Sequence, residues 1–123
     1  MAIFTYNKLK LLIMANKINK GDLIEFIRTK LGTNEAWAKK ALLKIYDRQT
    51  QDEKSTESTN HHNNIGFTGA DAHILSSFAK QLLYKKFLSP KQMAIVLRKM
   101  PKYCRQIMSI SNSEDLERIY LAS

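Results

Sequence analysis

The 123-residue chain has a single cysteine, Cys104, so an internal disulfide framework is excluded and a reducing compartment is favoured. Only four glycines and two prolines are present, too few for the many turns of an all-β fold. In the N-terminal region the longest uninterrupted apolar run covers residues 11–15. That run is too short for a membrane span, and no small-residue cleavage site follows it. We therefore expect a cytoplasmic protein without membrane contact.

Acidic side chains are missing from a long part of the chain, the 42 residues between Asp71 and Glu114. Ordinary exposed surfaces mix acidic with basic residues, which favours solubility and pairing along helices. This stretch alone supplies +8 of the formal net charge of +9, through Lys80, Lys85, Lys86, Lys91, Arg98, Lys99, Lys102 and Arg105. A positive electrostatic field of this size predicts a polyanionic partner, and nucleic acid is the commonest one.

The apolar periodicity predicts an all-α fold, a small bundle of about five to six helices. Sixteen residues, 49–64, carry no apolar side chain, so a polar linker is predicted over residues 51–64. This linker would separate an N-terminal helical part, residues 1–50, from a C-terminal basic helical part, residues 65–123. The chain is then one domain, or two small helical lobes that share a core.

Three helices are predicted before the linker. The first spans roughly Tyr6 to Ala15, and the second runs from about Asp22 to Leu31 and is closed by Gly32. The third begins at Thr33, and its apolar stripe indicates a buried helical face made of Trp37, Ala38, Ala41, Leu42, Ile45 and Tyr46.

Start signals predict the helices after the linker. Thr68 with Asp71 resembles a capping box, in which Asp71 serves as a cap. A second helix start is predicted where Ser89 precedes Pro90, with glutamine at the third helical position. Ser111 with Glu114 repeats the pattern before a short terminal helix.

The helix that begins at Pro90 is predicted to reach about Met108 and to kink at Pro101, which lacks a backbone donor. At roughly 100° per residue, four cations form one narrow stripe opposite the apolar face: Lys91, Arg98, Lys102 and Arg105. Four more cations widen the surface if this helix forms a hairpin with the preceding one through Phe87 and Leu88: Lys80, Lys85, Lys86 and Lys99.

Tyr103 lies beside the stripe, where it either stacks on a base or packs against the preceding helix. Packing is favoured, and we keep Tyr103 in the predicted surface. With few exposed aromatic or amide groups, such a surface predicts affinity for phosphates without much base readout. Two alternatives remain: an ordinary solvated helix face, and a surface that docks on an acidic protein.

The remaining histidine and cysteine residues, and the lack of catalytic motifs, argue against a metal site or an active site. His61 and His62 are adjacent in the polar linker and lack a nearby third ligand, so no metal site is predicted. Cys104 falls on the apolar sector and is interpreted as a small core residue. No nucleophile motif, phosphate-binding glycine loop or paired carboxylate array occurs, so we expect a non-enzymatic protein without a cofactor.

The segment from Asp22 to Thr50 has the order helix, turn, helix, which superficially resembles a sequence-specific DNA reader. Its second helix has Asn34, Lys39 and Lys40 on the exposed side. Glu35 lies near the N-terminal end of that helix, the end that would enter a DNA groove, and would repel phosphate. A plain helical hairpin is the favoured interpretation.

A set of short motifs between residues 37 and 108 resembles a small module of phage and other mobile-element reading frames, which is sometimes appended to helicase-like proteins. The motifs are Trp37 with Ala41-Leu42, Tyr46-Asp47-Arg48-Gln49-Thr50 with Asp52-Glu53, Asn64-Ile65-Gly66-Phe67, Asp71-Ala72, Leu88-Ser89-Pro90-Lys91-Gln92, and Lys102-Tyr103 with Arg105-Gln106. The resemblance implies phage or mobile-element biology, hence a host-cell cytoplasm, and carries over no catalytic residue. For Asn64–Phe67 the favoured role is structural, with Phe67 as the hydrophobic staple of the next helix.

The sequence therefore predicts a non-enzymatic accessory protein of a phage or mobile element that binds nucleic acid, with DNA the favoured form. The alternative is an inhibitor or adaptor that docks its basic face on an acidic host protein, such as a defence nuclease.

Overall fold

The computed structural model describes residues 19–56 and 66–122, and these residues contain helices and no strand. The all-α prediction is confirmed. The predicted helix at Tyr6–Ala15 and the histidine pair of the linker lie outside the described residues. The elements are α1 (Lys20–Thr33), α2 (Glu35–Thr56), α3 (Ala72–Lys85), α4 (Pro90–Lys99), a 3₁₀ turn (Met100–Tyr103), α5 (Cys104–Ile110) and α6 (Ser113–Ala122).

One residue, Asn34, ends α1 and begins α2. Its backbone N–H donates to the Lys30 carbonyl at 2.9 Å, and its side-chain oxygen accepts from the Trp37 N–H at 3.1 Å. The prediction that Gly32 closes the helix is wrong, because Gly32 lies inside α1. A Cβ atom there would lie 3.2 Å from Cγ of Pro101, so the glycine lets α1 approach the proline ring closely.

Helix α2 continues to Thr56, six residues into the predicted polar linker. Polar side chains support its last turns from within the helix: Gln51 donates to Oδ2 of Asp47 at 3.1 Å, and the Thr50 hydroxyl donates to the Asp47 carbonyl. Such contacts between residues three and four apart stabilise these last turns of α2, whose sequence has no apolar side chain to bury.

The predicted helix starts differ in outcome. The capping box at Ser89 and Gln92 is confirmed, with both reciprocal hydrogen bonds present. For α6 the prediction is off by one residue, since Asn112 accepts from the Asp115 N–H. The capping role of Asp71 is wrong: its side chain makes no capping bond and turns instead to the far end of the α4 segment.

The single kinked helix predicted from Pro90 is two α-helices joined by the 3₁₀ turn that contains Pro101. Proline cannot donate to the carbonyl four residues earlier, and the tighter 3₁₀ turn bridges this defect. Because the 3₁₀ turn advances about 120° per residue instead of 100°, the angular positions of the residues that follow shift.

The two predicted parts share one hydrophobic core. Helix α1 contacts α2, α4, the 3₁₀ turn, α5 and α6, while α2 also contacts α3 and α4. Cys104 is buried in this core, as predicted. The largest fully buried apolar side chains are Phe67, Ile27, Leu31, Leu42, Ile45, Leu75, Met100 and Val96. Within residues 19–56 and 66–122, no helix combines the length and apolar character needed to cross a bilayer.

Candidate functional site

A buried carboxylate organises one end of the basic region. Asp71 is 1% exposed, and its Oδ1 lies 3.0 Å from Nζ of Lys99. Its Oδ2 accepts from the Tyr103 hydroxyl at 2.7 Å and forms an ion pair with Lys102. Asp71 thus compensates part of the positive charge that the sequence assigned entirely to the surface.

The 3₁₀ turn explains why Lys102 leaves the predicted stripe. On an α-helix Lys102 would lie about 300° beyond Lys99, whereas in a 3₁₀ turn side chains three residues apart eclipse one another. Lys99 precedes the turn and Lys102 lies in it, so both reach the same carboxylate. The prediction of one continuous stripe is therefore wrong at Lys102, because it assumed α-helical geometry through Pro101.

The charge state of this cluster follows from its contacts. Burial raises the pKa of Asp71, but hydrogen bonds from Lys102, Tyr103 and Lys99 outweigh it and hold that pKa at about 2. Burial is also the main reason why the pKa of Tyr103 rises to about 12. At neutral pH Asp71 is an anion and Tyr103 keeps its proton.

Tyr103 itself is 4% exposed, and its ring packs edge-on against Phe67 at a centroid distance of 5.8 Å. Its hydroxyl accepts from the Thr68 N–H at 3.1 Å while donating to Asp71. A side chain buried in this way has no free face for a base, so we remove Tyr103 from the predicted surface.

Two glutamine side chains hold the chain that enters α3. Gln106 accepts from the Gly66 N–H at 2.8 Å and donates to the Gly66 carbonyl at 3.0 Å. Gln49 accepts from the Phe67 N–H at 3.0 Å and donates to Ser76. Together with Tyr103 they satisfy the backbone of residues 66–68, whose polar groups would otherwise be left without partners.

The remaining predicted cations all lie at the surface. These six outward cations are Lys80, Lys85, Lys86, Lys91, Arg98 and Arg105. None of them has an ion-pair partner in the part of the chain that the structure describes. Lys91 and Arg98 are seven residues apart on α4, so they share one helical face. Lys99, which is 30% exposed, and Lys102, which is 48% exposed, differ from these six because both are paired with Asp71.

Helices α3 and α4 form an antiparallel hairpin, which is the condition under which the sequence extends the predicted basic surface to the lysines of α3. Asp71 at the start of α3 meets Lys99 at the end of α4. Near the connection, Gln81 and Gln92 exchange two amide hydrogen bonds of 2.7 and 2.8 Å. Gln92 also closes the capping box of α4, so the helix start and the hairpin are fixed by one side chain.

Sequence reasoning missed the apolar groups at the end of this hairpin. The hairpin tip, defined as residues 83–88, exposes 49% of Leu83, 86% of Tyr84 and 60% of Phe87. The expectation of few exposed aromatics is therefore wrong here. A signal existed, since Tyr84 falls outside the apolar stripe of α3 formed by Leu75, Phe78, Ala79 and Leu82.

The tip also contains an unusual backbone conformation. Lys86 ends α3 with φ +69° and ψ 7°, a left-handed conformation usually reserved for glycine at this position. Its N–H donates to the Leu82 carbonyl at 3.0 Å. A lysine in this conformation strains the backbone, which a glycine would not do. In exchange, Lys86 adds a positive charge between Tyr84 and Phe87.

A groove between α2 and α6 is lined mainly by Trp37, Lys40, Lys44, Ile107, Leu116 and Ile119. Over residues 19–56 and 66–122, no three His, Cys, Asp or Glu side chains come together in a way that could hold a metal ion.

Comparison of the chain with models of known protein families, with curated proteins and with solved structures finds no match.

Proposed function

We propose that this protein binds nucleic acid mainly through backbone phosphates, as a non-enzymatic accessory protein of a phage or mobile element. The observation that carries the proposal is the surface of α3, α4 and α5, where six outward cations lack acidic partners in the described residues. Phosphate contacts of Lys and Arg supply most of the affinity in non-specific nucleic-acid binding.

The Asp71 cluster supports the proposal by fixing the geometry of this surface. It ties the start of α3 to the end of α4, and the Gln81–Gln92 pair ties the other ends of the two helices. A preorganised surface loses less conformational freedom when it binds. Lys99 and Lys102 keep further N–H donors beyond those given to Asp71, so they can reinforce the field.

The mobile-element setting comes from the motif resemblance. Several motif residues, Gln49, Gly66, Phe67, Asp71, Tyr103 and Gln106, form the network that holds the chain entering α3. These residues therefore maintain the scaffold that presents the cations.

Fluorescence anisotropy with labelled single-stranded and duplex DNA and RNA, titrated at several salt concentrations, tests the proposal. Four to six phosphate contacts predict a slope of log affinity against log salt of roughly −3 to −5. Absence of binding to every oligonucleotide at low salt would contradict it.

A second candidate is an inhibitor or adaptor that docks on an acidic host protein. The exposed Leu83 favours it, because an aliphatic side chain among cations is a group that protein interfaces bury. Such an adaptor need not bind oligonucleotides, so the same titration separates the two candidates.

A further inference from the structure

We infer that the hairpin tip binds single-stranded nucleic acid, with Tyr84 and Phe87 stacking on bases while the surrounding lysines neutralise phosphates. This inference rests on the proposed function and adds to it the form of the nucleic acid. Proteins that bind single strands combine a positively charged track with aromatic side chains on which successive bases stack.

The exposure of the two rings is the first observation. Tyr84 is 86% exposed and Phe87 is 60% exposed, although Phe67, Phe78 and Tyr103 are buried in the core. Burying aromatic rings is strongly favourable in water, so two exposed rings three residues apart mark a candidate binding surface. The Cα atoms of Tyr84 and Phe87 are at most about 11 Å apart, because the chain advances by three residues between them, and a few nucleotides can cover that distance.

The charge around the rings identifies that occupant. Lys85 and Lys86 lie between the two aromatic residues in sequence, and Lys80 lies one helical turn before Tyr84. No carboxylate occurs from residue 72 to residue 113. A neutral apolar partner would leave these ammonium groups without counter-charges, whereas a single strand supplies a phosphate with each base.

The backbone supports the same conclusion. Lys86 adopts the left-handed conformation at a position where glycine would be unstrained. The Gln81–Gln92 amide pair and the capping box hold the connection on both sides of it. The backbone of the tip is therefore held in place by hydrogen bonds. Lys86 keeps its positive charge there at the cost of backbone strain.

Duplex DNA fits the tip less well than a single strand does. The base faces of a duplex are already stacked on their neighbours, so only the cations can engage it. The structure therefore leads us to expect tighter binding to single strands than to duplex of equal length.

Anisotropy with three labelled DNAs tests the inference: an oligo-dT strand, an abasic strand of the same length and a duplex. Tyr84→Ala and Phe87→Ala should each weaken binding to oligo-dT about 5- to 100-fold, because stacking contributes about 1–3 kcal/mol per base and 1.4 kcal/mol is tenfold. Both variants should leave binding to the abasic strand and the duplex nearly unchanged. Leu83→Ala is the matched control, since it removes exposed apolar surface without removing an aromatic face.

The outcomes separate the two proposals. If oligo-dT, abasic strand and duplex bind equally and the aromatic variants behave like the wild-type protein, the tip inference is overturned while the proposed function stands. Equal losses from Leu83→Ala and Tyr84→Ala on oligo-dT would also overturn it, because general apolar contact would then explain the effect. Failure to bind these three DNAs and the labelled RNAs of the titration above overturns both proposals. Thermal melts followed by circular dichroism confirm that each variant is folded.

Discussion

The Tyr103 hydroxyl donates to the carboxylate of Asp71 over 2.7 Å and at the same time accepts the Thr68 N–H over 3.1 Å. One phenol therefore joins the 3₁₀ turn to the start of α3 and to the loop before it. This contact places a buried anion directly behind the lysines of the basic surface.

Removing that hydroxyl should destabilise the protein. Tyr103→Phe leaves the Thr68 N–H without an acceptor and removes one donor from Asp71, which should cost about 1–3 kcal/mol of the free energy of unfolding. Urea denaturation measures the loss. Tyr84→Phe is the control, since that hydroxyl belongs to an exposed residue and its removal should change stability very little. Equal stability of the two variants would contradict the role given to Tyr103.

Gly66 should tolerate no side chain. It has φ +85°, and an added Cβ would lie 2.7 Å from Cβ of Gln49. Gly66→Ala combines backbone strain with this overlap and should cost about 2–4 kcal/mol in unfolding free energy. Gly69→Ala is the matched control, because nothing lies within 4 Å of its added Cβ. Similar unfolding midpoints for the two variants would show that the loop is not held as described.

Acid should weaken the Asp71 cluster. The pKa of Asp71 is about 2 in the folded protein against an ordinary value of 3.8, so the unfolded chain binds the proton more tightly. The stability from this group is therefore complete above about pH 5 and disappears as the pH falls towards 2. Asp71→Asn should be less stable than wild type at pH 7, and the difference should shrink below pH 4. A difference independent of pH would contradict the assignment.

The same variant should be less stable but should bind nucleic acid more tightly than the wild-type protein, because we expect the gain in positive charge to outweigh the loss of the fixed geometry. It removes one buried negative charge and releases Lys99 and Lys102 from their carboxylate. Anisotropy at fixed low salt and a denaturation curve on one preparation measure both effects. Weaker binding by the folded variant would show that Asp71 is needed to position the lysines.

Lys86 should show opposite effects on stability and binding. Lys86→Gly relieves the left-handed strain of φ +69° and should raise the unfolding free energy by up to about 1 kcal/mol. Lys86→Ala removes the same charge but keeps the strain, so it should bring no such gain. Both variants should weaken nucleic-acid binding to the same degree. If Lys86→Gly were no more stable than Lys86→Ala, the backbone would not be strained there.

The sequence predicted much of this fold because its signals are local. The apolar stripes of α1 to α4 and the Ser89–Gln92 capping box each depend on neighbours within a few residues. The Asp71 cluster could not be predicted, because it depends on how a 3₁₀ turn rotates Lys102 and on contacts across about thirty residues of chain. The pairing of Gln106 with Gly66 likewise leaves no periodic signal.

The exposed aromatic residues of the tip could be predicted only in part from the sequence. The hairpin through Phe87 and Leu88 was considered only as a condition for a wider basic surface, and Tyr84 lies outside the apolar stripe of its helix. Exposure of the tip depends on where the core ends, which composition and periodicity do not encode.

The most direct test of the central claim is the salt dependence of oligonucleotide binding by Lys91→Glu/Arg98→Glu. Both side chains are exposed on one face of α4, and neither is an ion-pair partner of Asp71. Lys40→Glu/Lys44→Glu on α2 is the control, because it changes the net charge equally and its side chains are also exposed.

We expect the α4 reversal to weaken single-strand binding at least about tenfold at low salt and to reduce the magnitude of the salt slope by about 1.4, as for two lost phosphate contacts. The α2 reversal should leave that slope close to wild type. Equal effects of the two reversals would mean that only net charge matters, and would contradict the assignment of the nucleic-acid surface to α3, α4 and α5.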